Sequence, residues 1–245
     1  MIAPRTLPES RILVRSHVAK VEGHSFFSAP LGPGSIVVDL GMHNGAFSRW
    51  ISSSTGARVV GVEPVPALYE SMPALPKTTV VQAAIAASNG SAVLALNQRS
   101  CAALESTGLA EASAYRVTVP AITLAELFAQ HGIEIADLLK IDVEGVELDI
   151  LGDAPADVLK KCRQITCEFH NFVDPTLTSR VRVVQQRLEM LGFARITFSL
   201  DDTDTLFVQP AQLGLSRNDL RFAAAAYKYG RGARRRLHRL LGRRQ

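Results

Sequence analysis

Short apolar runs alternate with helix-like segments along most of this 245-residue chain. The run IVVDL at 36–40 precedes the amphipathic segment AFSRWISSST, and later apolar runs are followed by helical patterns in the same way. Parallel neighbouring strands need a crossover connection, usually a helix, so this alternation predicts an α/β fold with a parallel sheet. Two further runs, FARITFSL and DTLFVQ, flank the turn-forming Asp201-Asp202-Thr203 and predict a closing antiparallel hairpin.

Individual residues mark the ends of two of the helices. Thr123 and Glu126 have the spacing of a capping box, which predicts a helix that begins directly after the strand-like YRVTVPAI. Gly132 and Gly192 follow apolar helical patterns, at the positions where a C-terminal cap is expected. These two helices therefore carry boundary signals of their own.

The composition narrows the class of protein. Hydrophobic residues make up 47% of the chain and charged residues 20%, which is sufficient for a sizeable core. The apolar runs are too short to cross a bilayer, and the N-terminal residues lack the apolar stretch of a secretory signal, so we expect a cytoplasmic protein. Cys101, Cys162 and Cys167 contain no C-x-x-C pair, so neither a disulfide framework nor a thiolate zinc site is expected.

The basic and acidic residues are distributed unevenly along the chain. Residues 221–245 contain nine Lys and Arg and no acid, whereas the whole chain has 27 basic and 23 acidic residues. This basic tail is either a solvated chain end, which we favour, or a surface that contacts an anionic membrane or a partner; no nucleic-acid partner is expected. We expect an N-terminal extension over 1–34 that includes a β-ribbon, the α/β domain over 35–212, and the tail over 213–245.

The stretch SIVVDLGMHNGAF at 35–47 places an acid and two glycines at the end of the first core strand. In an open parallel sheet, ligands bind beyond the carboxyl ends of the strands. Gly41 and Gly45 allow a tight turn and a close approach of the backbone to a ligand. Asp39 would repel a pyrophosphate, and the spacing is not G-x-G-x-x-G, so the pattern favours a cationic nucleoside such as S-adenosylmethionine. The residues of this cofactor loop are Asp39, Gly41, Met42, His43, Asn44 and Gly45.

A second acid supports a nucleoside ligand. Glu63 directly follows the run RVVGV, 24 positions after Asp39, which is about the offset at which an acid on the second strand accepts hydrogen bonds from ribose hydroxyls. Each acid also has an ordinary interpretation, because a strand-end Asp can cap a helix and a strand-end Glu can lie in an exposed loop. Their order and spacing favour the cofactor site. Ala83 and Ala84, after the third strand, are expected near the adenine.

Five segments of the chain form a recognisable set: Asp39-Leu-Gly-Met-His-Asn-Gly45, Gly61-Val-Glu-Pro64, Ile122-Thr-Leu-Ala-Glu-Leu127, Asp137-Leu-Leu-Lys-Ile-Asp-Val-Glu-Gly-Val-Glu147 and Cys167-Glu-Phe-His170. The set resembles the FkbM family of S-adenosylmethionine-dependent methyltransferases. The resemblance implies a class I methyltransferase fold: a Rossmann-like seven-stranded sheet, mostly parallel with a C-terminal antiparallel hairpin, and helices on both faces. It also implies S-adenosylmethionine as cofactor, Pro64 beside it, and O-methylation. Met42-His43 departs from the Ala-Asn that family members usually carry.

O-methylation requires removal of a proton from the acceptor, because a protonated alcohol is a poor nucleophile. Asp142 follows the fourth strand, near the cofactor, and Glu168 and His170 follow the fifth. We expect His170 to be the general base, with Asp142 or Glu168 orienting it or taking the proton itself. The same three side chains could instead hold a divalent cation such as Mg²⁺, which we place second because no compact ligand motif is present. Lys140, inside an apolar strand, could pair with a first-turn acid such as Glu144 or Glu147 rather than contact the substrate.

Other polar residues near this edge are expected to contact the acceptor. Glu144 and Asn171 follow the same two strands, and Arg99 lies in the polar, small-residue middle of the segment 88–116, which is a candidate acceptor loop. Ordinary interpretations stay open for them as well. Glu144 and Glu147 suit the first turn of a helix, where the helix dipole favours acids, and the segment 88–116 suits a surface connection.

The favoured function is an O-methyltransferase that acts on a hydroxyl of a carbohydrate or of a glycosylated or polyketide natural product, with a small molecule or glycan as its partner. Two alternatives stay open. A nicotinamide-dependent oxidoreductase fits the coarse fold but lacks the glycine spacing. A non-catalytic binding module with a methyltransferase fold would account for the unusual Met42-His43.

Overall fold

The computed structural model describes residues 18–96, 102–104, 115–143, 145–172, 174–199, 202–216 and 218–220. Within these residues the strands are β1 (Val18–Val21), β2 (His24–Phe27), β3 (Ile36–Leu40), β4 (Arg58–Val62), β5 (Thr78–Val81), β6 (Ala84–Ile85), β7 (Gly90–Leu96), β8 (Ala102–Leu104), β9 (Tyr115–Ile122), β10 (Leu138–Ile141), β11 (Gln164–Cys167), β12 (Ala194–Thr197) and β13 (Thr205–Val208). The helices are α1 (Ala46–Thr55), α2 (Pro66–Glu70), α3 (Leu124–Gln130), α4 (Glu147–Asp153), α5 (Ala156–Lys160), α6 (Thr178–Met190) and α7 (Pro210–Leu213).

The central sheet has seven strands in the order β12-β13-β11-β10-β3-β4-β5. The pairs β11–β10, β10–β3, β3–β4 and β4–β5 are parallel, whereas β13 runs antiparallel to both β11 and β12. This arrangement confirms the mostly parallel sheet with a C-terminal antiparallel hairpin. The carboxyl ends of β3, β4, β10 and β11 therefore meet at one edge, where a ligand is expected.

Side chains alternate between two cores along these strands, as the two-residue period of a strand requires. Val38 and Leu139 belong to the core that α3, α4, α5 and α6 cover. Val37 and Leu138 face the opposite core, which α1, α7 and the hairpin β1–β2 cover. Helices therefore pack on both faces, as expected, and the hairpin completes the second face.

The N-terminal hairpin is fixed to the central sheet by buried polar contacts. Asp204, at the start of β13, accepts hydrogen bonds from the backbone N–H of Ser25 (2.9 Å), the Ser25 hydroxyl (2.8 Å) and the Lys20 ammonium (2.6 Å). The amide of Gln164 exchanges two hydrogen bonds with the backbone of Phe27, at 2.9 and 3.1 Å. A hairpin of two short strands is marginal alone, so these contacts hold it in place.

Two helix boundaries agree with their sequence signals. The Thr123 hydroxyl accepts a hydrogen bond from the N–H of Glu126 at 3.1 Å, so the helix begins where the capping box predicts. The reciprocal half of the box differs, because the Thr123 N–H donates to Asn89 Oδ1 at 2.8 Å. Gly132 and Gly192 have positive φ angles of 61° and 96°, as expected at C-terminal caps.

The segment 88–116, whose middle is the candidate acceptor loop, contributes strands to a second β-sheet. β7 and β9 pair antiparallel over their length, with β6 and β8 on either side, in a four-stranded sheet inserted between the third and fourth strands of the central sheet. Arg99 lies outside the described residues. The strand at 90–96 was not predicted, and most of the middle of the segment, 97–101 and 105–114, lies outside the described residues.

The C-terminal side of the domain continues beyond residue 212, since Leu213 and Leu215 are buried in the second core. The basic residues 221–245 lie outside the described part. Cys162 and Cys167 are buried free thiols, and burial raises the pKa of Cys162 to about 12. None of the helices in the described residues is both long and apolar enough to cross a membrane.

Candidate active site

The glycine loop after β3 is held in place by its own backbone. The N–H groups of Gly41 and Met42 both donate to the carbonyl of Val62, at 3.0 and 3.1 Å, which ties the loop to the end of β4. Gly41 has a φ of +79°, and a Cβ there would stand 1.8 Å from the carbonyl oxygen of Asp142. Only glycine fits this close crossing of β3 and β10. The loop geometry therefore agrees with the sequence prediction.

Met42, which departs from the usual family residue, has a packing role. Its side chain is buried and lies over Gly61, where a Cβ would come within 2.0 Å of the Met42 sulfur. His43 and Asn44 are exposed at the tip of the loop, and His43 has a φ of +52°. The carboxamide oxygen of Asn44 accepts from the N–H of Ala46 at 3.0 Å, at the start of α1. Met42 thus supports the loop by packing against Gly61, and His43 and Asn44 face solvent.

Asp39 is fully buried and forms an ion pair with a lysine. Its Oδ1 lies 3.1 Å from Lys140 Nζ on the neighbouring strand, and its Oδ2 accepts a hydrogen bond from Ser48 at 2.7 Å. Lys140 also donates to the carbonyl of Gly41 at 2.5 Å. Asp39 therefore positions the cofactor loop and α1 through its neighbours, and its charge is already balanced inside the protein. Lys140 thus pairs with Asp39 and not with one of the first-turn glutamates that the sequence analysis named.

Glu63 is buried at the end of β4 and connects two loops. Its Oε2 accepts from the N–H of His43 at 2.7 Å, and its Oε1 accepts from the N–H of Val65 at 2.9 Å. Burial raises the pKa of this carboxyl, and the two backbone hydrogen bonds oppose that shift without cancelling it. Because each carboxylate oxygen has a second lone pair, the group retains acceptor capacity for ligand hydroxyls.

Asp142 and Glu168, at the ends of β10 and β11, lie beside a histidine that the sequence analysis did not select. His24 Nε2, from the hairpin, is 3.4 Å from Asp142 Oδ2. Burial raises the pKa of Asp142, but hydrogen bonding to His24 and the charge of Lys140 outweigh it, so the net pKa is lowered. Within the described residues, His24, Asp142 and Glu168 form one set whose potential ligand atoms all lie within 4.8 Å of one another.

His170 lies outside that set and pairs with a different acid. Its Nδ1 is 2.7 Å from Glu147 Oε1, and both side chains are buried. Glu147 also accepts from the N–H groups of Val143 (3.3 Å) and Gly145 (3.0 Å), which fixes its carboxylate at the start of α4. The acid that orients His170 is therefore Glu147, not Asp142 or Glu168. The sequence analysis grouped Asp142 and Glu168 with His170, whereas in the structure the histidine of that group is His24.

The other residues that the sequence analysis assigned to the site differ in their burial and contacts. Ala83 and Ala84 are buried in the first core, and Pro64 is half-buried beside Glu63. Asn171 follows His170, and its Oδ1 is buried without a hydrogen-bond partner among the described residues. Glu144, like Arg99, lies outside the described residues.

Comparison with protein families matches residues 39–193, more than half of the chain, to the Methyltransferase FkbM domain. The chain belongs to the FkbM methyltransferase family. Membership agrees with the motifs from the glycine loop to His170 and argues against an oxidoreductase. A search of curated proteins returned no significant match.

Solved structures similar to this FkbM methyltransferase are distant. The METTL16 methyltransferase domain has a TM-score of 0.41 and 10% identity over 74% of this chain, which spans 61% of that domain. Human methyltransferase 10 domain containing protein has a TM-score of 0.40 and 11% identity, with 71% of this chain and 72% of that chain covered. A Geobacter sulfurreducens S-adenosylmethionine-dependent methyltransferase in complex with S-adenosyl-L-homocysteine has a TM-score of 0.34 and 12% identity, with 78% and 65% covered. The family assignment does not depend on these scores.

Two residues of this methyltransferase site had no usable sequence signal. His24 precedes the matched region by 15 positions and reaches the site only because the hairpin folds back onto the sheet. Glu147 has the sequence position of an ordinary first-turn acid, and only its 2.7 Å contact with His170 reveals a further role. Such contacts between distant segments cannot be read from local spacing.

Proposed function

We propose that this chain is an S-adenosylmethionine-dependent O-methyltransferase that acts on a hydroxyl of a carbohydrate or of a glycosylated or polyketide natural product. The observation that carries the proposal is the pair of buried residues His170 and Glu147 at the sheet edge next to the glycine loop. A histidine fixed by a carboxylate is suited to remove a proton from an alcohol. Family membership supports methyl transfer in general.

The residues present are suited to S-adenosylmethionine. Glu63 retains acceptor capacity for ribose hydroxyls while its backbone contacts hold the carboxylate still. The loop turns tightly at Gly41, where a Cβ would lie 1.8 Å from the Asp142 carbonyl oxygen, so no side chain stands between the backbone and β10. Asp39 and Lys140 support the loop from inside the protein, because they are buried, pair with each other, and Lys140 donates a hydrogen bond to the loop. The cofactor supplies an electrophilic methyl group.

On the acceptor side, His170 serves as the general base. His170 Nδ1 lies 2.7 Å from Glu147 Oε1, so a proton shared between these two groups would make Nε2 the nitrogen that accepts the substrate proton. Nε2 would take the proton of the acceptor hydroxyl, and the oxygen would receive the methyl group as the bond from the methyl carbon to the sulfonium sulfur breaks and the demethylated cofactor leaves. Glu147 stabilises the imidazolium that results. The unpartnered Oδ1 of Asn171 is suited to accept a hydrogen bond from the acceptor.

Two measurements test the proposal. Isothermal titration with S-adenosylmethionine and its demethylated product tests cofactor binding, and incubation with methyl-labelled cofactor and a panel of glycans and glycosylated polyketides tests transfer. We expect binding of both nucleosides and label on an acceptor oxygen. Absence of binding would refute the cofactor assignment, and binding without transfer to any acceptor would favour a non-catalytic module. A cytoplasmic location is part of the proposal, and cell fractionation tests it.

A further inference from the structure

Three side chains from distant parts of the chain meet where β10 and β11 end. His24 comes from the hairpin β1–β2, whereas Asp142 and Glu168 follow the two central strands. His24 is fully buried, Asp142 is 29% exposed, and Glu168 is partly exposed. One imidazole and two carboxylates thus lie close together, and both carboxylates are partly exposed to solvent.

The separation of these atoms fits a long hydrogen bond and also fits two ligands of one ion. His24 Nε2 and Asp142 Oδ2 are 3.4 Å apart, at the long end of hydrogen-bond distances, whereas short hydrogen bonds to a carboxylate are about 2.7–2.9 Å. Two ligands that each lie about 2.1 Å from a metal ion at a tetrahedral angle are about 3.4 Å apart. Lys140 Nζ lies 3.5 Å from the same oxygen. The carboxylate has about four lone-pair sites, so it can serve both neighbours.

The histidine is held ready for coordination. Its Nδ1 lies 3.4 Å from the Thr166 hydroxyl on β11, so the other ring nitrogen, Nε2, is the one directed at Asp142. A partner on the second ring nitrogen is the usual support of a metal-bound histidine. The contacts of Asp204 and Gln164 with the hairpin keep His24 in this place before any ion arrives.

We propose that His24, Asp142 and Glu168 form a binding site for one divalent transition-metal ion. The mixed nitrogen and oxygen ligands favour Mn²⁺ or Zn²⁺ over Mg²⁺ or Ca²⁺, which prefer oxygen ligands alone. Three protein ligands leave further coordination positions on the solvent side. This assignment differs from the sequence-based one in the histidine, since His170 is engaged by Glu147.

The site deepens the proposed methyltransferase function and rests on it for its role. An ion there would bind the acceptor hydroxyl, lower its pKa and fix its direction relative to the cofactor loop. His170 would then accept the proton from a hydroxyl whose pKa the ion has already lowered. Acceptors with two neighbouring hydroxyls, as in sugars, would occupy two open positions of the ion and are the substrate class that the site favours.

Metal binding can be measured without cofactor or acceptor, so its failure is distinguishable from failure of the methyltransferase proposal. The full chain is treated with a chelator, exchanged into metal-free buffer and titrated with MnCl₂ while free Mn²⁺ is followed by electron paramagnetic resonance. We expect one bound ion per chain, and pulsed measurements should detect one histidine nitrogen. The variants His24→Gln, Asp142→Asn and Glu168→Gln should each weaken Mn²⁺ binding at least tenfold.

Further variants control for general effects. His131→Ala changes a histidine at the end of α3 and should leave Mn²⁺ affinity within twofold. Thr166→Val removes only the support of His24 and should weaken binding up to about tenfold. Far-UV circular dichroism checks that each variant is folded. Absence of stoichiometric Mn²⁺ binding in the parent protein, or loss of the nitrogen signal in His170→Ala with its retention in His24→Gln, would overturn the proposal.

Discussion

Replacing Lys140 with methionine tests the electrostatic arrangement beneath the cofactor loop. The substitution keeps much of the side-chain volume but removes the ammonium that lies 3.1 Å from Asp39 and 3.5 Å from Asp142. At an effective dielectric constant of about 20, the attraction across 3.1 Å is about 5 kcal/mol, and the cost of burying both charges offsets part of it. Removal of one partner of a buried pair typically lowers the free energy of unfolding by about 3–5 kcal/mol.

The measurement is urea denaturation at pH 7.5, followed by far-UV circular dichroism. We expect Lys140→Met to lose about 3–5 kcal/mol, because the fully buried carboxylate of Asp39 is left without a counter-ion. The double variant Asp39→Asn with Lys140→Met removes both charges and should lose less than the single variant. Arg180→Met is the matched control, since its pair with Asp149 is 57% and 37% exposed and should contribute less than about 1 kcal/mol.

The pH dependence provides an independent check. Burial lowers the pKa of Lys140, but the charges of Asp39 and Asp142 outweigh it, and the net pKa lies above the ordinary value of 10.5. A raised pKa stabilises the fold below about 10.5, and this contribution is lost as the pH rises through the folded-state value. The stability difference between the parent and Lys140→Met should therefore stay constant from pH 7 to 10 and shrink above that range. This reasoning would be refuted if Lys140→Met were as stable as Arg180→Met, or if the double variant were as unstable as Lys140→Met alone.

Three further predictions concern the site itself. Gly41→Ala places a Cβ 1.8 Å from the carbonyl oxygen of Asp142, so thermal unfolding should show a loss of at least about 2 kcal/mol, and an unchanged melting temperature would contradict the close crossing. Glu63→Gln keeps only one of the two acceptor oxygens, so calorimetry should show at least a tenfold weaker affinity for S-adenosylmethionine; equal affinity would exclude Glu63 from the cofactor site. His170→Ala should lower kcat about 10²–10⁴-fold and Glu147→Gln by a smaller factor, with cofactor affinity within threefold in both, and unchanged turnover would identify another base.

Local patterns were sufficient for the scaffold. The run that ends at Asp39 and the glycines after it predicted the first strand, the tight turn and the following helix, because backbone sterics and helix capping act over a few residues. The capping box at Thr123 located the start of α3 for the same reason. The strand β7 was not predicted, since small residues such as those of GSAVLAL give a weak strand signal that pairing with β9 overrides.

The partners of the ionisable residues were less predictable. The sequence placed Asp39, Asp142 and His170 at the correct sheet edge, because the carboxyl ends of parallel strands meet there. It did not show that Lys140 neutralises Asp39 or that Glu147 orients His170. Those pairings depend on which side chains face each other across 100 and 22 intervening positions, and spacing along the chain carries no such information.

The amino-acid sequence alone determined the α/β architecture, the family and the edge of the sheet where chemistry is expected, because each follows from periodicity and short motifs. Only the tertiary structure decided that an N-terminal hairpin brings His24 to Asp142 and Glu168. Hydrogen bonds from the hairpin to Asp204 and Gln164 fix that placement, and they join segments more than 130 residues apart. The physical reason is that a fold satisfies its buried polar groups across the whole molecule, so the composition of a site depends on long-range packing.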